Sequence, residues 1–156
     1  MKNIYNIEYT YVYKSSIFHG GIKMNIIELI EGALKVREMA YCPYSNFKVG
    51  AAALFEDGEI YTGCNIENAS FGATNCAERT AIFNGISKGN KILKALALVG
   101  DVNAFTYPCG ICRQVISEFA ENGEMKIYIV KNKDEILVKT LDELMPGTFT
   151  KKDLDN

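Results

Sequence analysis

Three of the five cysteines stand at a spacing that is typical of a metal site. Cys109 and Cys112 form a Cys-x-x-Cys pair, and Cys76 lies in the segment Asn-Cys-Ala-Glu-Arg. Thiolates are zinc ligands, and three protein ligands leave the fourth tetrahedral position open for water, as in catalytic sites. A structural site needs a fourth protein ligand, and three further side chains could supply it: Cys42, Cys64 and His19. The pattern favours a catalytic zinc centre over a structural one.

Charged residues accompany the cysteines. Glu78 lies two residues after Cys76, where a carboxylate could accept and donate a proton beside the metal, although it could also be a capping-box partner to Asn75. Two of the three arginines, Arg79 and Arg113, are also close to cysteines, although both could simply form surface salt bridges. Because three thiolates leave divalent zinc with a net negative charge, cations hydrogen-bonded to sulfur would restore its acidity. We therefore predict that both arginines contact the thiolates.

The Cys-Ala-Glu motif followed by Pro-Cys-x-x-Cys resembles the zinc-dependent cytidine deaminase family, in its short homotetrameric type with three cysteine ligands. The resemblance extends over about residues 35–149. It implies one zinc ion per subunit, held by Cys76, Cys109 and Cys112, with Glu78 as the proton shuttle. The implied reaction is the hydrolytic deamination of cytidine and deoxycytidine to uridine and deoxyuridine, with release of ammonia, as a step of pyrimidine salvage.

The same resemblance implies how the nucleoside is bound. Asn65 and Glu67 would hold the ribose 3′-hydroxyl, and Ile66 lies between them. Phe47 would stack on the base, and the backbone N–H of Ala77 would donate to the pyrimidine carbonyl. None of these groups contacts the 2′-hydroxyl, so the family's acceptance of both sugars is expected here. The residues alone would instead indicate a core aromatic at Phe47 and a turn at Asn65 and Glu67.

Neighbouring subunits help to close each pocket in this family. Phe71 and Phe149 match aromatic positions that reach into an adjacent pocket, so the resemblance implies a homotetramer. Without the resemblance, Phe149 would be interpreted as an ordinary C-terminal core residue.

Three other functions remain open from the sequence. A related deaminase could act on an aminonucleoside antibiotic such as blasticidin S, although the Asn-Ile-Glu segment at residues 65–67 favours an ordinary ribose. An enzyme that edits nucleic acid would need a track of phosphate-binding cations, which a chain with three arginines and a net charge of −2 does not offer. A non-enzymatic zinc-binding module is disfavoured by the open coordination position and by Glu78.

The elements that position these residues alternate between helices and strands. Apolar residues that recur every three or four positions predict an amphipathic helix over residues 25–40. A β-hairpin is predicted over residues 49–66, with its turn at Glu-Asp-Gly. Helices over 76–87, N-capped by Asn75, and 109–122 would place all three cysteines in first turns, where the helix dipole stabilises thiolates. The remaining predicted elements are strands over 95–99 and 126–130 and a short helix opened by a capping box at Thr140.

Two consecutive strand–helix–strand passages predict right-handed crossovers and a partly parallel sheet with helices on both faces. The predicted fold class is therefore α/β, with a mixed β-sheet in a three-layer α/β/α arrangement like that of cytidine deaminases. Residues 24–156 are expected to form one domain, and residues 1–23 an N-terminal extension. Codons for Gly-Gly-Ile-Lys before Met24 can form a ribosome-binding sequence, so we predict that translation naturally begins at Met24.

The composition limits the possible partners and location. The 156 residues are 48% hydrophobic and 23% charged, which is ordinary for one soluble domain. No apolar run approaches the roughly 18 residues of a membrane span, and no basic field is present, so we expect neither a membrane nor a nucleic-acid partner. An odd number of cysteines without a secretory signal predicts a reducing, cytoplasmic location.

Overall fold

The computed structural model describes residues 17–19, 22–24 and 26–154. Its strands are β1 (Ile17–His19), β2 (Ile22–Met24), β3 (Gly50–Phe55), β4 (Ile60–Cys64), β5 (Leu93–Val99), β6 (Lys126–Val130) and β7 (Ile136–Thr140). Its helices are α1 (Ile26–Arg37), α2 (Ala77–Ser87), α3 (Gly110–Phe119) and α4 (Leu141–Leu144), with short 3₁₀ helices at Phe71–Ala73 and Lys151–Asp153. None of the helices in these ranges has the length and apolar character needed to cross a membrane.

Strands β3 to β7 form one sheet in the order β4-β3-β5-β6-β7. β5 and β6 run parallel, and the other neighbouring strands are antiparallel. Helix α2 connects β4 to β5, and α3 connects β5 to β6, so these connections are the two predicted crossovers. The predicted mixed α/β sheet is confirmed.

Helices cover both faces of this sheet because alternate strand residues point to opposite sides. The amphipathic helix α1 buries its apolar stripe on one face, against the cluster Ala52, Leu54, Ala95, Ala97, Val99, Tyr128 and Val130. The other face packs against α2, α3 and α4 through a second set: Ala51, Ala53, Phe55, Leu96, Leu98, Ile127 and Ile129. Strand β5 is almost entirely buried, as expected for a central strand covered on both sides.

Helix α2 packs closely against β4 at Gly63. A Cβ atom added to Gly63 would stand 2.3 Å from the backbone nitrogen of Ala81, so only glycine allows this approach. Gly63 is two residues before Asn65, and α2 begins one residue after Cys76. The short helix–strand distance therefore brings the predicted sugar-binding segment close to the predicted metal-binding segment.

Several local predictions differ from the structure. The predicted N-cap at Asn75 is wrong: Cys76 caps α2, and the Asn75 amide instead donates to Thr80 Oγ1 at 3.0 Å. Helix α3 ends at Phe119 rather than near residue 122, because the next residue turns into a bridge with Leu93. The edge strand β7 was not predicted, whereas the capping box at Thr140 is confirmed.

Most of the predicted extension over residues 1–23 lies outside the described residues. The described backbone shows β1 paired antiparallel with β2, which ends at Met24. The boundary at residue 24 and the proposed start at Met24 therefore stay predictions.

Candidate zinc centre and active site

The three predicted zinc ligands come together where two helices begin. Cys76 and Cys109 are the N-cap residues of α2 and α3, and Cys112 lies in the first turn of α3. Their Sγ atoms all lie within 4.8 Å of one another, and those of Cys76 and Cys109 are 4.0 Å apart. Cys76 and Cys109 cap helices whose first N–H groups lack intrahelical acceptors, and the partial positive charge of these helix starts favours a thiolate at the N-cap.

The sulfur spacing fits a zinc ion. Two sulfurs bound to one tetrahedral zinc at about 2.3 Å are separated by about 3.8 Å. Within the described ranges, Cys42 and Cys64 do not belong to this cluster, so neither supplies a fourth ligand, and the side chain of His19 lies outside the described set. Three thiolates with an open fourth position are the donor set of a catalytic centre.

Arg79 makes the sulfur contact that the sequence predicts. Its Nη2 donates to Cys76 Sγ at 3.6 Å and to the carbonyl oxygen of Thr74 at 3.2 Å. Hydrogen bonds from the Cys112 thiol and from Arg79 lower the pKa of Cys76 to about 5. The buried Nε of Arg79 has no hydrogen-bond partner among the described residues, so this guanidinium can donate further to negative charge.

Arg113 makes different contacts from those predicted. Its Nε donates to the carbonyl of Pro108 at 2.8 Å, and its Nη1 donates to the carbonyl of Leu144 at 2.6 Å. Pro108 precedes Cys109, so Arg113 fixes the backbone beside a ligand and ties it to the end of α4. Sequence spacing places Arg113 beside Cys112, but it does not show that two carbonyl oxygens, rather than the thiolates, accept hydrogen bonds from its guanidinium.

Glu78 lies in the first turn of α2 and is 4% exposed. Burial raises the pKa of its carboxyl group to about 7, and the negative charge of Cys76 acts in the same direction. Since Asn75 is not the N-cap, the capping-box interpretation of Glu78 loses its partner. A carboxyl group that titrates near neutral pH suits both acceptance and donation of a proton.

The predicted sugar-binding segment runs beside the segment that leads into α2. Ile66 and Asn75 exchange two backbone hydrogen bonds of 2.9 Å, and Asn75 directly precedes Cys76. On its other side, Tyr41 bonds to the backbone of both Asn65 and Glu67. This irregular ladder fixes residues 65–67 next to the zinc centre.

The aromatic residues predicted to contact substrate or a neighbouring subunit are exposed. Phe47 is 43% exposed, and Phe71 and Phe149 are 76% and 58% exposed. Tyr44 contacts Phe71 edge-on, with ring centroids 5.9 Å apart. Ile66 is also exposed, whereas the Ala77 side chain is buried and its N–H lies in the first helical turn, where intrahelical acceptors are absent. The interpretation of Phe47 and Phe149 as core residues is therefore not supported.

Sequence reasoning missed two residues next to Phe47. The Ser45 hydroxyl donates to Glu67 and accepts from the N–H of Phe47, and Asn46 has a positive φ of 55°. Serine and asparagine are common in turns, which is the signal that the sequence offers, but the partner of Ser45, Glu67, is distant in the chain.

The comparisons with known proteins agree with this site. Residues 24–138 match the family described as the cytidine and deoxycytidylate deaminase zinc-binding region. The chain belongs to this deaminase family. A cytidine deaminase of Sporosarcina psychrophila is 53% identical over 131 residues, which cover 84% of this chain and 96% of that protein. One from Halalkalibacterium halodurans is 47% identical over 128 residues, 82% of this chain and 96% of that protein.

Solved deaminase structures share the fold. A cytidine deaminase from Burkholderia pseudomallei has a TM-score of 0.75 and 42% identity, and the match covers 81% of this chain and all of that chain. The cytidine deaminase from Mycobacterium tuberculosis has a TM-score of 0.68 and 39% identity, over 81% of this chain and 98% of that chain. The chain is thus an enzyme of the deaminase family with a zinc cofactor.

Replacement of Arg79 by alanine is expected to weaken zinc affinity or turnover by about 10- to 100-fold, because the Cys76 thiolate loses its cationic donor. Zinc affinity and turnover should be measured together with the circular dichroism spectrum, which should not change. Arg37→Ala is the matched control, because its guanidinium binds Glu38 and the Gly100 carbonyl instead. Unchanged zinc binding and an unchanged rate in Arg79→Ala would refute this role.

Proposed function

We propose that the protein catalyses the hydrolytic deamination of cytidine and deoxycytidine to uridine and deoxyuridine, with release of ammonia. The observation that carries the proposal is the buried carboxyl group of Glu78, which lies in the first turn of the helix that Cys76 caps, and Cys76 is one of the three clustered thiols. Relatives named cytidine deaminase, which match this chain over nearly their full length, support the same reaction.

The roles of the ligands and of Glu78 follow from their chemistry. Cys76, Cys109 and Cys112 would hold the zinc ion, which would lower the pKa of water at the open position and so make a nucleophile available near neutral pH. Glu78 carries the two protons of the consumed water, one to ring N3 and one to the departing amine. As the C4–N bond breaks, the base becomes uracil and the amine leaves as ammonia. A carboxyl pKa of about 7 supports this exchange, because both protonation states are populated at neutral pH.

Other groups orient the nucleoside. The N–H of Ala77 donates to the pyrimidine carbonyl, and Phe47 stacks on the base. Asn65 and Glu67 bind the ribose 3′-hydroxyl, with Ile66 between them. The short ladder between Ile66 and Asn75 supports this assignment, because it holds the sugar-binding segment beside Cys76.

The working enzyme is, in this proposal, a cytoplasmic homotetramer built from residues 24–156. The exposed rings of Phe71 and Phe149 support it, since such side chains are costly in water and complete a neighbour's pocket in this family. The sedimentation coefficient of the purified protein tests it, and a monomer would contradict it. The partner is a free nucleoside, in keeping with a net charge of −2.

A substrate panel tests the proposed specificity. The zinc-loaded protein should convert cytidine and deoxycytidine with similar kcat/KM, because no proposed contact involves the 2′-hydroxyl. Blasticidin S, which lacks an ordinary ribose, should react far more slowly. Efficient turnover of the antibiotic with none of cytidine would replace the proposal by its alternative.

A further inference from the structure

The carboxylate of Glu67 is already largely engaged by a neighbouring loop. Its Oε2 accepts hydrogen bonds from the backbone N–H groups of Tyr44 and Ser45, at 2.8 and 3.2 Å. Its Oε1 accepts a hydrogen bond from the hydroxyl of Ser45. An ionised carboxylate offers about four acceptor sites, so these three bonds leave room for one further donor.

The same loop carries Phe47. The Ser45 hydroxyl, which donates to Glu67, accepts a hydrogen bond of 3.0 Å from the N–H of Phe47. Between them, Asn46 adopts a φ of 55°, in the left-handed region where asparagine is among the residues best tolerated. Both features set the direction in which the chain presents Phe47.

The other backbone group of Phe47 is fixed by the same distant segment. Asn65 Nδ2 donates to the Phe47 carbonyl at 2.8 Å, and Asn65 Oδ1 accepts from the N–H of Val49 at 2.8 Å. Thus the N–H and the C=O of Phe47 are both tied to residues 65–67, one through Ser45 and one directly. The predicted base contact and the predicted ribose contacts form one hydrogen-bonded unit.

We propose that Ser45 and Asn46 are positioning residues that couple the ribose contact at Glu67 to the base contact at Phe47. The inference rests on the proposed function, since it assigns the two coupled contacts to the sugar and the base of one nucleoside. Held by the loop, Glu67 presents one free acceptor direction to a single sugar hydroxyl. Loss of the Ser45 hydroxyl removes one of the three hydrogen bonds to the Glu67 carboxylate and the hydrogen bond to the Phe47 N–H, so substrate binding weakens while the zinc centre is unchanged.

Steady-state kinetics with cytidine test the coupling. Ser45→Ala should raise KM about tenfold, with kcat within about twofold of wild type and one zinc per chain retained. Ser45→Thr keeps a hydroxyl and should restore KM. Ser87→Ala is the matched control, because its exposed hydroxyl bonds to Asn84 at the far end of α2. A change in kcat without a change in KM, or no rescue by threonine, would contradict the proposal.

The backbone of Asn46 gives a second, independent variant. Asn46→Gly tolerates the positive φ and should keep KM near wild type, whereas Asn46→Val does not and should raise KM. Equal KM values for the glycine and valine variants would contradict a positioning role for this residue.

Amide hydrogen exchange of the free protein separates this inference from the proposed function. The N–H groups of Tyr44, Ser45 and Phe47 should exchange slowly in wild type and faster in Ser45→Ala, whether or not cytidine is a substrate. If exchange is faster in Ser45→Ala but the wild type does not convert cytidine, the proposed function is rejected, while the role of Ser45 in holding its loop is retained. Unchanged exchange in Ser45→Ala would reject the coupling even in an active deaminase.

Discussion

Glu78→Gln should lower kcat for cytidine by about 10²- to 10⁴-fold, because the amide can neither accept the water proton nor deliver it to N3. The buried environment that raises the pKa of Glu78 makes this residue suited to both steps. Glutamine has nearly the same shape, so the fold and the cluster of three thiols should be preserved. Uridine formation measures the rate, and atomic absorption measures the retained zinc.

A matched control tests whether the effect is specific to the carboxylate of Glu78. Glu118→Gln removes an exposed carboxylate from α3, the helix that carries Cys112, and should leave kcat unchanged. Substantial activity of Glu78→Gln with full zinc content would assign the proton shuttle to another group.

Cys112→Ala should abolish both zinc binding and turnover. This cysteine is fully buried, and its loss leaves two thiolates, too few to hold zinc in a site that also keeps a position open. The effect on stability should be visible as well, because bound zinc stabilises the folded state by mass action. The zinc content of the purified variant and its melting temperature measure both effects.

The chain offers two control cysteines for that experiment. Cys42→Ala and Cys64→Ala remove half-buried thiols that lie outside the cluster, so both variants should retain one zinc per chain and remain active. Loss of zinc in either control, or its retention in Cys112→Ala, would contradict the assigned ligand set.

The sequence predicts the cluster of three cysteines well because their positions are fixed by local structure. Cys76 and Cys109 stand at helix starts, and helix starts are marked in sequence by polarity and periodicity. Once two such helices pack on the same face of one sheet, their first turns come together. The cluster of three cysteines follows from this packing of α2 and α3 on one face of the sheet.

The sequence does not predict hydrogen bonds between residues that are distant along the chain. Arg113 binds the carbonyl of Leu144, 31 positions away, and Ser45 binds Glu67, 22 positions away. Neither contact has a periodic signature. The sequence predicts Asn75 as the N-cap of α2 because an asparagine side chain is a better cap than a thiol, whereas in the structure Cys76 is the N-cap and the Asn75 amide donates to Thr80 Oγ1.

The initial rate of uridine formation from cytidine, measured as zinc is titrated into the metal-depleted protein, tests the central claim most directly. The account predicts that the rate rises in proportion to bound zinc and levels off at one zinc per chain. Conversion of cytidine that does not depend on zinc, or no conversion by the folded and fully loaded protein, would contradict it.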